Sequence, residues 1–134
     1  AFQNIIPTTS GAAKAVVKTI PSLKNKLEVM SVRVPVPTVS MCDATVLVEK
    51  STTVEEVNHA FKVASETSMK DVLHYATETL VSSDYIGSPY SCIFDSNYTK
   101  VIDGNMVKVI AWYDNEWGYA CRLSDLVIRL GHFV

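Results

Sequence analysis

Met106-Val107-Lys108-Val109-Ile110-Ala111-Trp112-Tyr113-Asp114-Asn115-Glu116-Trp117-Gly118-Tyr119 joins an apolar strand to an amphipathic helix, and the rest of the chain reads outward from it. Met106 to Tyr113 is β-rich, whereas Leu123, Leu126, Val127, Leu130 and Phe133 recur at helical spacing. Asp114 or Asn115 can cap that helix, and Glu116 suits its first turn, where the helix dipole favours negative charge. A plain connection needs one cap and some turn formers. This one adds two Trp, two Tyr and the amide of Asn115, more chemistry than a turn requires.

Upstream, Asp103-Gly104 predicts a hairpin turn leading into Met106. Lys100 to Ile102, Ser91 to Phe94 and Leu80 to Tyr85 lean towards strand, and a shorter helix is expected from about Met69. Thr53-Val54-Glu55-Glu56 is a capping box, and Val54, Val57, Phe61 and Ala64 form the apolar stripe of the helix it opens. Two alternating segments precede it. Leu27 to Val36 sets Met30, Val32 and Val34 opposite Ser31 and Arg33, and Val39 to Glu49 sets Cys42, Ala44, Val46 and Val48 opposite Asp43, Thr45 and Glu49, so the two are expected to pair antiparallel. Ser10 to Lys18 predicts a helix stopped by Pro21. Strands clustered in pairs favour an α+β fold, a mainly antiparallel (mixed) sheet with helices on one face, over a doubly wound sheet. No Gly-x-Gly-x-x-Gly run occurs, so a complete dinucleotide-binding unit is not expected within these residues.

At 134 residues the chain fits one domain, and no repeat or low-complexity tract divides it. A net charge of −2 provides no footprint for nucleic acid or an anionic membrane, and the apolar runs fall short of a membrane span. A soluble intracellular protein with reduced thiols is expected. Ala1 leads at once into Asn4-Ile5-Ile6-Pro7, which reads as the middle of a longer chain; a fragment is expected.

Thr8-Thr9-Ser10-Gly11 at a helix start offers hydroxyls, unpaired N–H groups and the positive end of the dipole, with Gly11 allowing close approach. Phosphate is the natural ligand. Local sequence favours Ser10 as a simple cap, which is compatible with anion binding. Arg33 could clamp a phosphate bidentately; a surface ion pair is the plainer alternative. Cys42, Cys92 and Cys121 show no local sign of activation and read as buried structural thiols. His59, His74 and His132 lack metal-ligand spacing, and no metal is expected. Glu55 and Glu56 are accounted for by the helix dipole.

Gln3-Asn4-Ile5-Ile6-Pro7-Thr8-Thr9-Ser10-Gly11-Ala12-Ala13-Lys14-Ala15-Val16, Arg33-Val34-Pro35, Val81-Ser82-Ser83-Asp84 and Trp112 to Tyr119 follow one another in order. Together they resemble glyceraldehyde-3-phosphate dehydrogenase over essentially the whole chain. The resemblance implies that residues 1–134 are most of that family's C-terminal catalytic domain, incomplete at the N-terminal side and without the Rossmann NAD-binding domain. It implies that Ser10 and Gly11 fall where the family binds inorganic phosphate through a Thr-Gly pair, and that Arg33 matches an arginine serving both phosphate sites. Asn115 matches the residue that hydrogen-bonds the nicotinamide carboxamide, and Tyr119 the aromatic beside that ring. The family's Ser-Cys-Thr-Thr-Asn nucleophile motif and its base histidine do not occur here, so no catalytic residue is expected in this chain.

The implied activity is NAD-dependent, phosphorylating oxidation of glyceraldehyde 3-phosphate to 1,3-bisphosphoglycerate in glycolysis, by a cytoplasmic homotetramer, with the isolated chain inactive. The alternatives are a relative acting on erythrose 4-phosphate and a non-catalytic module for phosphate binding or oligomerisation.

Overall fold

Prolines, glycines and capping residues divide residues 3–131, those that the structure, a computed structural model, describes, into six strands and three α-helices. In chain order these are β1 (Ile6–Thr9), α1 (Ala12–Thr19), β2 (Met30–Arg33), β3 (Ser40–Leu47), α2 (Val54–Glu66), β4 (Leu73–Ala76), β5 (Cys92–Ile102), β6 (Met106–Tyr113) and α3 (Trp117–Gly131). Phe133, expected on the last helical stripe, and His132 lie outside the described residues. The chain forms two compact units, Ala1–Pro37 and Thr38–Val134.

In the second unit, Asp103 and Gly104 both take positive φ, 49° and 71°, the geometry that folds two right-twisted strands back on each other. β5 and β6 therefore pair antiparallel from Ile102↔Met106 to Ile93↔Trp112, with a bulge between Asp95 and Lys100. β3 joins the other edge of β6 antiparallel, and β4 joins β5 in parallel, giving the order β3-β6-β5-β4. The sheet is mixed and mainly antiparallel, as expected.

Thr53 opens α2 with both halves of the capping box: its hydroxyl accepts from the Glu56 amide at 3.2 Å, and the Glu56 carboxylate accepts from the Thr53 amide at 3.1 Å. The predicted stripe of Val54, Val57, Phe61 and Ala64 is half-buried, and Phe61 stacks on the fully buried Phe94 with ring centroids 3.9 Å apart. α2 packs on β4 and β5. The Asn58 amide donates to the Ser96 carbonyl and accepts from the Thr99 hydroxyl, joining the helix to the β5 bulge. On the opposite face Val39, Ala76, Tyr85 and Ile93 pack with Leu80, Tyr90 and Trp112. Asp95 is fully buried, yet it accepts from the Trp112 indole at 3.1 Å and from the Asn97 amide groups, so its charge is satisfied.

The first unit is smaller. β1 and β2 form an antiparallel ribbon from Ile6↔Arg33 to Thr9↔Met30, followed in sequence after β1 by α1. None of residues 3–37 is buried.

Several expectations need correction. β2 pairs with β1 rather than with β3, whose partner is β6. Alternation reveals a strand's faces and not its neighbour, and Pro35, Pro37 and Val39 at a φ of 70° interrupt the two segments between them. The strand in Leu27 to Val36 is confined to Met30–Arg33. No helix begins at Met69: Asp71 takes a φ of 64°, and turns lead directly into β4. Leu80 to Tyr85 is not a strand; Ser82–Tyr85 forms a short 3-10 turn whose Asp84 carboxylate accepts from the Val81 amide at 2.8 Å. Ser91 to Phe94 and Lys100 to Ile102 belong to one bulged strand. Cys42 is exposed rather than buried, because α2 packs on β4 and β5 and not on β3. Among the described residues no helix is long and apolar enough to cross a membrane.

Candidate functional site

The candidate phosphate residues all lie in the first unit. Gly11, and not Ser10 as expected, is the N-cap of α1, which has no side-chain cap; the Ser10 hydroxyl, one residue earlier, accepts from the Ala12 amide at 3.1 Å. The Ala15 amide bonds back to the Gly11 carbonyl, while the amides of Ala13 and Lys14 have no partner among the described residues. A Cβ at residue 11 would meet nothing within 4 Å, so the space beside Gly11 is open.

Arg33 is exposed and makes no ion pair among the described residues. It ends β2 opposite Ile6, whereas Ser10 follows Thr9 at the other end of the ribbon. The two are thus four residue steps apart, roughly 14 Å along the strand direction at about 3.4 Å per residue. The ribbon carries both without placing them in contact.

The second unit builds its candidate site at the join of β6 and α3. Asp114, 4% exposed, accepts from three backbone amides. One carboxylate oxygen takes Glu116 and Trp117, each at 2.9 Å, capping α3; the other takes Gly87 at 2.8 Å. These amides, Gly87 first and then Trp117 and Glu116, hold the carboxyl below its ordinary pKa against the opposing effect of burial. Gly118 fixes the first turn of α3 against the entry to β5: a Cβ there would stand 3.0 Å from the Tyr90 carbonyl. One turn on, the Arg122 guanidinium donates to the Asp71 carbonyl at 3.0 Å and pairs with Asp125 at 2.7 Å.

Asn115 and Tyr119 open onto the same cavity of about 280 Å³, whose wall includes Ser91, Tyr113, Gly118 and Arg122. The Asn115 amide donates to the Glu116 carboxylate and accepts from the Ser40 hydroxyl, each at 3.3 Å. Because an ionised carboxylate only accepts, this contact favours Nδ2 towards Glu116 and Oδ1 towards Ser40, leaving one hydrogen and one lone pair for a ligand. Such a donor and acceptor match a carboxamide. Tyr119, 70% exposed, offers a flat apolar face beside them.

Asn115 lies in the turn just before α3, whose Gly118, Tyr119 and Arg122 share one face, and the spacing 115, 118, 119, 122 is visible in the sequence without any structure. Ser40 and Ser91 come from distant strand positions and leave no comparable signal. A larger recess of about 440 Å³ beside α2 and β4 contains none of the expected residues; its Lys62 and Lys70 are matched by Glu66 and Asp71, so it has no net preference for an anion.

Neither Cys42 nor Cys92 is poised for attack. Burial pushes the Cys92 thiol up to about 11, with Cys42 adding to the shift, and desolvation followed by the neighbouring Asp43 raises Cys42. A nucleophile requires the opposite shift.

Residues 1–115 match the model of the glyceraldehyde 3-phosphate dehydrogenase C-terminal domain. The chain is 51% identical over 132 residues to glyceraldehyde-3-phosphate dehydrogenase 2 of Streptomyces avermitilis, a match covering 98% of this chain and 39% of that protein. It is 53% identical over 125 residues to glyceraldehyde-3-phosphate dehydrogenase 2 of Bacillus subtilis, covering 93% of this chain and 37% of the relative. With glyceraldehyde-3-phosphate dehydrogenase of Geobacillus stearothermophilus the identity is 55% over 126 residues, covering 94% and 38% respectively. The chain thus spans less than two fifths of the length of these curated relatives. On this match, the chain belongs to the glyceraldehyde-3-phosphate dehydrogenase family, through that family's C-terminal domain.

Proposed function

We propose that this chain is part of the catalytic domain of an NAD-dependent, phosphorylating glyceraldehyde-3-phosphate dehydrogenase, incomplete at its N-terminal side, with the Rossmann domain, nucleophilic cysteine and base histidine supplied by sequence outside it. The reaction is glyceraldehyde 3-phosphate plus phosphate and NAD to 1,3-bisphosphoglycerate and NADH. NAD supplies the hydride acceptor. Asn115 binds the nicotinamide carboxamide through its remaining donor and acceptor and so selects a face of the ring, while Tyr119 lies against the ring. Ser10, the amides after Gly11 and Arg33 bind phosphate groups of the reactants, where charge-assisted hydrogen bonds are strongest. Positioning of this kind reduces the entropic cost of bringing the reactants together. Exposed Met41 and Leu47 on β3 provide apolar surface for a homotetramer, and the isolated chain is inactive.

The observation that carries this reading is the shared cavity of Asn115 and Tyr119 in a chain of this family. Steady-state kinetics of the full-length protein test it. Asn115→Ala should raise the NAD KM by about tenfold or more, as expected for loss of a hydrogen bond whose partner stays buried, and leave the phosphate KM nearly unchanged. An unchanged NAD KM would remove Asn115 from the site. Faster turnover of erythrose 4-phosphate than of glyceraldehyde 3-phosphate would reassign the substrate.

A further inference from the structure

Asn115 is exposed, and its own side chain is held by only two long hydrogen bonds of 3.3 Å. Such contacts are weak at a wet surface. Its position is therefore set by the backbone, and the backbone around it is closed by its neighbour. The Asp114 carboxylate reaches forward over Asn115 to the amides of Glu116 and Trp117, so residue 115 lies inside a small hydrogen-bonded ring. The second oxygen of the same carboxylate is fixed to Gly87, a residue at a φ of +78° in the loop before β5. Gly118, seated against the Tyr90 carbonyl, holds the following turn.

We propose that Asp114 is the positioning residue of the nicotinamide site: one buried carboxylate ties the ring around Asn115 to the Gly87 loop and thereby fixes where the Asn115 amide is presented. The proposal rests on Asn115 being the nicotinamide contact. An ordinary cap needs one acceptor oxygen; the anchor to Gly87 needs the second, which is why a carboxylate serves where Ser or Asn would suffice for the helix alone.

Asp114→Asn retains one acceptor and sets an NH2 against an N–H donor, so it must release either the ring or the Gly87 anchor. In the full-length protein it should raise the NAD KM about tenfold while the aldehyde and phosphate KM stay within about twofold. Combined with Asn115→Ala it should add less than about twofold, because the group it positions is gone. Asp114→Ser keeps a helix cap and loses only the Gly87 link; it preserves folding and should still raise the NAD KM selectively. A purely structural Asp114 would instead alter all three KM values together, and that result overturns the proposal. So does full multiplication of the two effects in the double variant. If Asn115→Ala alone leaves the NAD KM unchanged, the nicotinamide reading itself fails and takes this proposal with it.

Discussion

The two units hold their candidate residues by different means. Residues 3–37 bury no side chain; their ribbon and short helix are held by backbone hydrogen bonds, and Ser10, Gly11 and Arg33 sit on local geometry. Residues 38–131 contain the whole described core, including Phe94 at 0% and Ile93 at 1% exposure, and Asn115 hangs from it through Asp114 and β6. In the first unit a change should stay where it is made. In the second, a change in packing reaches the ligand-facing amide.

The largest effect should come from the core. Phe94→Ala removes a fully buried ring stacked on Phe61 and should destabilise the full-length protein by about 3–5 kcal/mol in denaturant titration. Val16→Ala in α1, half-buried, should cost about 0.5–1 kcal/mol. Equal losses would break the contrast. Next, Arg33→Leu should raise both phosphate-dependent KM values by about tenfold or more while leaving the melting temperature within a degree or two, since the Arg33 side chain is exposed and makes no ion pair among the described residues. A large thermal shift would show that the ribbon depends on it.

The smallest effect concerns pH. The Asp114 carboxyl is held below its ordinary value of about 3.9, so the stability it adds is fully present above that value and is lost as pH falls through the lower folded-state value. Asp114→Asn should therefore be less stable than the parent at neutral pH, with the gap narrowing below about pH 4. A gap that persists undiminished in acid would assign the loss to packing instead.

What could be read from the sequence was what local chemistry decides. Asp103-Gly104 and Thr53 to Glu56 announce a hairpin and a helix start because each rule spans only two to four residues. The partner of β2 was not legible, since alternation is the same whichever strand lies alongside. β4 was missed because four residues after a left-handed Asp71 provide too little pattern to separate strand from turn. At the site, Asn115 and Tyr119 were legible through the family motif, whereas Ser40 and Gly87 reach the same junction only through tertiary pairing.

The pairing of β3 with β6 also sets a timetable. Leu47 meets Met106 and Ser40 meets Tyr113, so β3 must find a strand made some sixty to seventy residues later. At synthesis rates of about 5–20 residues per second, that is a wait of roughly 3–14 s with its edge unpaired. The β5–β6 hairpin, closed by two residues, needs no such delay. Asp43, in the middle of β3, gains Lys108 only when β6 arrives. In the folded sheet this surface ion pair adds about 1 kcal/mol at most; on the nascent chain, the carboxylate guards an apolar strand against pairing with a copy of itself.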